Sequence, residues 1–96
     1  MTLPTKMAVP EIVGTFEVGS FMFAVRFADP ELGDRYVLTK EADIVSVVAE
    51  AQEEFGEVTA ITKLCQVIEV KGDHVRYRDV TSGTVGGFTM EPVLPN

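Results

Sequence analysis

Cys65 and His74 are the one cysteine and the one histidine of this sequence, so they are its one possible pair of thiol nucleophile and imidazole base. Cys65 stands in a long apolar run that predicts a strand, and His74 stands at the turn that follows the strand. A strand rises about 3.3 Å per residue, so this spacing predicts a separation well over about 15 Å, whereas a catalytic dyad needs about 3 Å. A zinc site is also excluded, because the sequence lacks four ligands of the right type.

The remaining groups that could do chemistry do not converge. Asp29, Glu31 and Asp34 fall in one predicted loop, with no pocket implied. The run GTVGG (83–87) lacks the Lys-Ser/Thr of a phosphate-binding loop and precedes no predicted helix. We therefore expect a protein that is not an enzyme and that holds no cofactor and no metal.

The stretch EADIVSVVAEAQEEFGE (41–57) predicts an amphipathic helix with one acidic side. The acidic residues that are candidates for binding a partner are Asp43, Glu50, Glu53, Glu54 and Glu57. Like charges three or four residues apart cost about 0.2–0.5 kcal/mol per pair, and the last three acids also face the negative end of the helix dipole. Lys40 is the only basic residue between positions 40 and 57.

Two interpretations of this acidic side stay open. A solvated face is the plainer one, although interspersed lysines would keep the helix soluble without the electrostatic cost. A docking surface for a basic partner is the other. A metal site is disfavoured, because carboxylates at helical spacing provide no loop that wraps an ion.

A second charged surface is predicted on HVRYRDV (74–80), where His74, Arg76 and Arg78 alternate onto one face of a strand. Tyr77 points to the other face, and Arg76 is expected to pair with Glu69 across the strands. This basic face is interpreted as a charged outer sheet face, with contact to a partner's acidic patch as the alternative. Nucleic acid is disfavoured by the net charge of −7.

Length and composition place all these residues in one small domain. Ninety-six residues, 46% apolar and 24% charged, form a single globular domain (1–96) with one modest core. We expect 1–10 to form an N-terminal arm and 81–96, rich in Gly and Thr, to form a flexible tail, in which FTM (88–90) either returns as an edge strand or docks on a partner. The single cysteine and the lack of a signal-peptide or membrane-spanning run predict a soluble, cytoplasmic protein.

Two alternating runs before the helix, IVGTFEV (12–18) and SFMFAVRFA (20–28), predict a β-hairpin with its turn at Gly19-Ser20. The second run carries phenylalanines on one face and is apolar at Met22 and Ala24 on the other. It is therefore predicted to be a central strand whose second face is also covered. The run YVL (36–38) is a candidate for a short third strand.

The helix is predicted to start after an N-cap at Thr39 and to end at Gly56. Its predicted core stripe is Ile44, Val48, Ala51 and Phe55.

A second hairpin is predicted from VTAITKLCQVIEV (58–70) and VRYRDV (75–80), with a two-residue turn at Gly72-Asp73. This turn sets Lys71 opposite His74, Glu69 opposite Arg76 and Val67 opposite Arg78. The predicted core side is Leu64, Ile68, Val70, Val75 and Tyr77. The expected fold is α+β: an antiparallel sheet of two hairpins with one amphipathic helix packed on one face, in the order β-β-(β)-α-β-β.

Without catalytic groups, the surfaces carry the functional hypothesis. We expect a non-enzymatic binding protein that docks on a basic, nucleic-acid-binding surface of a larger protein and inhibits it by steric block or nucleic-acid mimicry. Small phage-encoded inhibitors, including anti-CRISPR proteins, are often of this size and charge, which is an analogy of class. The alternative is a structural subunit, such as a virion component, that self-associates through an edge strand and the tail; two apolar strand faces favour it.

Overall fold

The computed structural model of the chain describes residues 6–8 and 12–91. The strands in this part are β1 (Lys6–Ala8), β2 (Ile12–Val13), β3 (Phe21–Phe27), β4 (Asp34–Thr39), β5 (Val58–Lys71), β6 (His74–Asp79) and β7 (Val85–Glu91), and the helix is α1 (Ile44–Phe55). The strands form one sheet in the order β1-β7-β6-β5-β3-β4-β2. The α+β class, with one helix in a small single domain, is confirmed.

The sheet is mixed, which corrects the prediction of a purely antiparallel sheet. The inner pairs are antiparallel, whereas β1 pairs with β7 and β2 pairs with β4 in parallel. The hairpin predicted at Gly19-Ser20 is wrong, because β2 ends at Val13 and does not pair with β3. The hairpin forms instead between β3 and β4, so the predicted third strand is real and longer than expected.

The chain leaves the sheet at Gly14 and crosses its face before β3 begins. Gly14 has φ +99°, and a Cβ at this position would lie 2.5 Å from the carbonyl oxygen of Leu38. Farther along, the Phe16 ring packs edge-on against Phe88 at 5.4 Å. The alternation that suggested a strand at 12–18 is therefore satisfied by a crossing segment, whose apolar side chain enters the core.

This crossing segment closes one of two apolar clusters, here called the inner cluster. Its buried members are Met22, Leu38, Leu64, Cys65, Val67, Val75 and Phe88. Ile12 and Met90, near opposite ends of the strand order, both pack against it, so the sheet curls around this cluster. The second face of β3 is covered as predicted, but by the chain's own curled sheet. That coverage removes the reason to invoke a second copy for it.

The helix covers the other face of β3 and forms the outer cluster. Its buried members are Phe23, Val25, Phe27, Val47 and Ala51. Met22 and Phe23 are both fully buried, which confirms β3 as an interior strand.

The predicted helix start and core stripe need correction. The helix begins at Ile44 with Asp43 at the N-cap position, because Thr39 still belongs to β4. Val47 and Ala51 are buried, whereas Ile44 at the first turn is 37% exposed. Gly56 ends the helix as predicted, with φ +103°.

The second hairpin is confirmed at its turn, but the pairing of its strands shifts by one residue farther from the turn. Lys71 lies opposite His74 and Glu69 lies opposite Arg76, as predicted. An irregularity between Val67 and Glu69 then moves the register by one residue, so Val67 lies opposite Tyr77 and not Arg78. Val67 therefore takes the buried position that had been assigned to Ile68.

Residues 85–91 of the predicted flexible tail form β7, which is longer than the strand suggested at 88–90 and lies inside the sheet, and residues 6–8 of the predicted arm form β1 beside it. The glycines that suggested flexibility allow close packing instead. A Cβ on Gly86 would lie 2.6 Å from the Tyr77 hydroxyl oxygen, and one on Gly87 would lie 3.1 Å from the carbonyl oxygen of Val75. The rest of the predicted arm, and positions 92–96 of the predicted tail, lie outside the described residues.

Candidate functional site

The acidic candidates are all exposed, and they divide into a helical set and two flanking residues. Glu50, Glu53 and Glu54 lie on α1; Asp43 precedes it and Glu57 follows it. At 100° per residue, Glu50 and Glu54 lie beside the buried Val47–Ala51 stripe, whereas Glu53 lies about 140° from it, on the outer side of the helix. We call Glu50, Glu53 and Glu54 the acidic helix face.

Asp43 makes local hydrogen bonds with neighbouring side chains, which the three acids of the helix do not make in the part of the chain that the structure describes. One of its carboxylate oxygens accepts a hydrogen bond from the Ser46 hydroxyl at 3.0 Å, and its N–H donates to the Glu41 carboxylate at 2.9 Å. These contacts organise the start of the helix. Glu57 contributes its backbone carbonyl to the Ala28 N–H at 2.9 Å, which ties the chain after the helix to the end of β3.

The acidic helix face has no compensating cation among the residues that the structure describes. Lys40 is engaged elsewhere: its ammonium lies 3.6 Å from a Glu17 carboxylate oxygen and donates to the Val18 carbonyl at 2.7 Å. The last turn of the helix contains no basic residue. The carboxylates therefore face the negative end of the helix dipole with solvent as their neighbour.

Glu50 and Glu54 also line a groove of about 300 Å³ between the helix and the edge formed by β4 and β2. Its other lining side chains are mostly apolar, among them Val13, Val37 and Phe55. Sequence reasoning missed this groove, since it exists only because β2 pairs with β4. Two carboxylates beside an apolar floor can accept a long basic side chain, with its methylene stem on the floor and its charge at the rim.

The basic candidates lie together on a different element. His74, Arg76 and Arg78 are exposed on β6, and Tyr77 lies on the opposite face against the inner cluster, as predicted. Lys71 joins them opposite His74, a neighbour that the predicted turn register already implied. Arg76 lies opposite Glu69, yet the expected ion pair between them does not form within the described part of the chain.

Cys65 is placed for packing and not for nucleophilic chemistry. It is fully buried in the inner cluster. Burial, with a smaller contribution from the charge of Asp79, raises the pKa of the Cys65 thiol from 9.0 to about 12. The thiolate is therefore scarce at neutral pH.

A hollow of about 340 Å³ lies where β4, β3 and β5 adjoin, lined by Ala24, Tyr36 and Ala60 among others. Two of its charged groups pair with each other, since the Arg26 Nε lies 2.8 Å from an Asp34 carboxylate oxygen. The hydrogen bond from Arg26 holds the pKa of Asp34 below its ordinary value. Among the described residues, no three His, Cys, Asp or Glu side chains group as a metal site would require.

In the described part of the chain, no helix combines the length and apolar character needed to cross a membrane. Comparisons with protein-family models, curated proteins and solved structures found no match for this chain. Argument about function therefore rests on the surfaces themselves.

Proposed function

We propose that this chain is a non-enzymatic binding protein that docks on a basic surface of a larger protein through its acidic helix face. The observation that carries the proposal is the placement of Glu50, Glu53 and Glu54: exposed, close together, and without a cation beside them. A solvated helix would avoid part of this repulsion by mixing in lysines. The cations of a basic partner would relieve this repulsion, and that relief would contribute to the binding affinity.

The preferred partner surface is one that binds nucleic acid, because such surfaces concentrate Lys and Arg. Carboxylates at i and i+4, such as Glu50 and Glu54, lie about 6 Å apart along the helix axis. A row of negative charge at that spacing imitates a phosphate backbone. The chain would then act as an inhibitor, by steric block or nucleic-acid mimicry, in the manner of small phage-encoded anti-CRISPR-type proteins.

The groove beside Glu50 and Glu54 supports a particular contact within this interface. A lysine or arginine of the partner would place its stem against the apolar floor and its charge between the two carboxylates. Glu53 does not line the groove, so it would act at the rim of the interface.

The experiment is a salt-graded capture followed by a displacement assay. The wild type is compared with Glu50→Lys/Glu54→Lys and with the matched control Glu17→Lys/Glu31→Lys, which reverses two exposed carboxylates away from the helix. Each double variant changes the net charge by four, from −7 to −3. The proposal expects capture of a nucleic-acid-binding protein at about 50 mM salt that fades by about 500 mM, as charge screening requires.

The captured protein is then purified with its own nucleic-acid probe. Wild type and control should displace the probe with similar efficiency, and Glu50→Lys/Glu54→Lys should lose at least about tenfold, which corresponds to about 1.4 kcal/mol. Equal displacement by all three proteins, or an equal loss in the control, would reject the acidic helix face as the docking surface. Circular dichroism confirms that each variant keeps its helix.

A further inference from the structure

The outward faces of β6, β7 and the last part of β5 lie past the start of the helix, since Lys63 on β5 donates to the Ala42 carbonyl there. This surface, which we call the basic sheet face, carries Lys71, His74, Arg76 and Arg78. Gly87 lies beside Arg76 and has no side chain, so the face contains a shallow hollow of about 430 Å³. Among the described residues, Glu69 is the one carboxylate that lines this hollow.

The cations of this face differ from the other described cations in their partners. Arg26 pairs with Asp34 at 2.8 Å, and Arg35 donates to the Asp34 carbonyl at 3.0 Å. Lys63 donates to the Ala42 carbonyl at 3.0 Å and lies 4.2 Å from the centre of the Phe21 ring.

By contrast, the described contacts give Arg76 and Lys71 no side-chain partner, and Arg78 reaches only the Gly83 carbonyl at 3.5 Å. His74 shares a hydrogen bond with the Thr89 hydroxyl at 3.1 Å and lies 3.7 Å from an Asp73 carboxylate oxygen. In a chain of net charge −7, cations with little local compensation have collected on one face.

The basic sheet face and the helix lie on the same side of the sheet. Val75 and Tyr77 pack on the inner cluster, so the alternation of the strand directs Arg76 and Arg78 away from it. The helix packs on Phe23 and Val25, which also point away from the inner cluster. Both charged surfaces therefore lie on the outer side of the curled sheet, the acidic one toward β4 and β2 and the basic one on β5 and β6.

The two surfaces match in spacing as well as in sign. Alternate residues of a strand lie about 6.6 Å apart, and residues four apart on a helix lie about 6 Å apart along its axis. An exposed apolar side chain accompanies the basic surface, since Val85 lies opposite Arg78 and is 39% exposed. A twofold axis can therefore bring each acidic surface onto the other molecule's basic surface.

We propose that a second copy of this chain covers the basic sheet face, with the acidic helix face of each copy docked on Arg76 and Arg78 of the other. The assembly is a closed dimer with two identical charged contacts. It uses the same carboxylates as the proposed docking surface, so the dimer and a basic partner compete for them. The inference concerns the purified chain alone and does not depend on any partner being found.

The test is the molar mass of the purified protein by light scattering, across salt and concentration. Two variants are prepared: the helix variant Glu50→Lys/Glu54→Lys and the sheet variant Arg76→Glu/Arg78→Glu. At about 50 mM salt, the wild type should approach twice the 10.5 kDa mass of one chain, and each variant alone should stay at that mass. An equal mixture should regain the doubled mass, because the substituted helix then meets the substituted sheet with exchanged signs and the two unsubstituted surfaces meet with their original signs.

Several outcomes would overturn the dimer. These are a wild type that stays at the mass of one chain, variants that still double, or a mixture that fails to recover. If the wild type stays single and the basic sheet face binds an oligonucleotide that the sheet variant does not bind, the occupant is a nucleic acid and the second copy is rejected. Each result leaves the displacement assay of the proposed function readable on its own.

Discussion

The two charged surfaces rest on supports of different kinds. The acidic helix face stands on a helix that reaches the outer cluster chiefly through Val47 and Ala51, with Phe55 half-buried at its end. The basic sheet face stands on β6, which is hydrogen-bonded to β5 on one side and to β7 on the other, with Val75 buried beneath it. One surface is attached by side chains, and the other is part of the sheet itself.

This difference shows which surface the fold constrains. The carboxylates of the helix can be exchanged without moving any backbone, because no described hydrogen bond or ion pair involves them. Positions on β6 are tied to neighbours such as Gly87, whose missing side chain leaves room beside Arg76. Packing does not require the carboxylates of the acidic helix face. Their placement together is therefore better explained by electrostatic binding than by the fold.

The largest expected contrast compares Gly14→Ala, beside the groove of the helix, with Gly72→Ala at the turn before β6. At Gly14, the added Cβ meets a backbone carbonyl at 2.5 Å and φ is +99°, so the variant should lose about 3–5 kcal/mol of unfolding free energy. At Gly72, φ is +63° and nothing lies within 4 Å, so the loss should be about 1–2 kcal/mol. Denaturant unfolding measures both, and equal losses would contradict the close approach of Gly14 to the Leu38 carbonyl.

The next prediction concerns the sheet, where the buried Cys65 thiol should make the unfolding free energy depend on pH. Above pH 9 the unfolded thiol loses its proton, whereas the folded thiol keeps its proton until about pH 12. The unfolded state then binds fewer protons, so stability should fall as pH rises through this window, by as much as about 4 kcal/mol, and should not respond to this thiol below about pH 8.

Urea unfolding at a series of pH values tests this loss. Cys65→Ala should flatten the decline, and Tyr77→Phe is the comparison variant because burial also raises the pKa of Tyr77. A decline of the same slope in Cys65→Ala would assign the pH dependence to other groups.

The third contrast makes one substitution under each surface. Val47 and Val75 are 2% and 1% exposed, so Val→Ala removes similar buried area at both. Val75→Ala should cost about 3 kcal/mol, since it also lowers strand propensity. Val47→Ala should cost about 1.5 kcal/mol, because alanine is the better helix former. Equal costs from thermal unfolding would show that the two supports are alike.

The smallest expected effect is a gain in stability. Glu53→Lys/Glu54→Lys removes like charges from the last turns and complements the helix dipole, so unfolding free energy should rise by about 1 kcal/mol at low salt. The gain should shrink as salt rises, and the exposed loop control Glu31→Lys should change little. A loss of stability in the helix variant would mean that these carboxylates have a structural role.

Sequence predictions succeeded where the signal depends on a few neighbouring residues, and failed where one pattern fits two structures. The helix end at Gly56 and the turn at Gly72-Asp73 were predicted, because each depends on one glycine and its neighbours. The helix start was misplaced, because Thr39 satisfies both an N-cap pattern and the end of a strand. The first hairpin was misassigned, because Phe16 alternates correctly without being in a strand.

Exposure of the charged residues could be predicted, but their surroundings could not. The exposed positions of Glu50, Glu53 and Glu54 follow from helical periodicity, and those of Arg76 and Arg78 follow from strand alternation. The groove beside the helix needs β2 to pair in parallel with β4, and the hollow on the basic sheet face needs Gly87 to lie against β6. Neither pairing leaves a pattern in the local sequence.

The sequence by itself determined the fold class, the interior position of β3 and the charge of both surfaces, because periodicity and charge are properties of neighbouring residues. Only the tertiary structure decided that the glycine-containing segment 85–91 is a strand between β6 and β1, and that the sheet curls to cover its own second face. Those outcomes depend on contacts between residues far apart in the chain, such as Phe16 with Phe88. Their free energy comes from burial that no local pattern specifies.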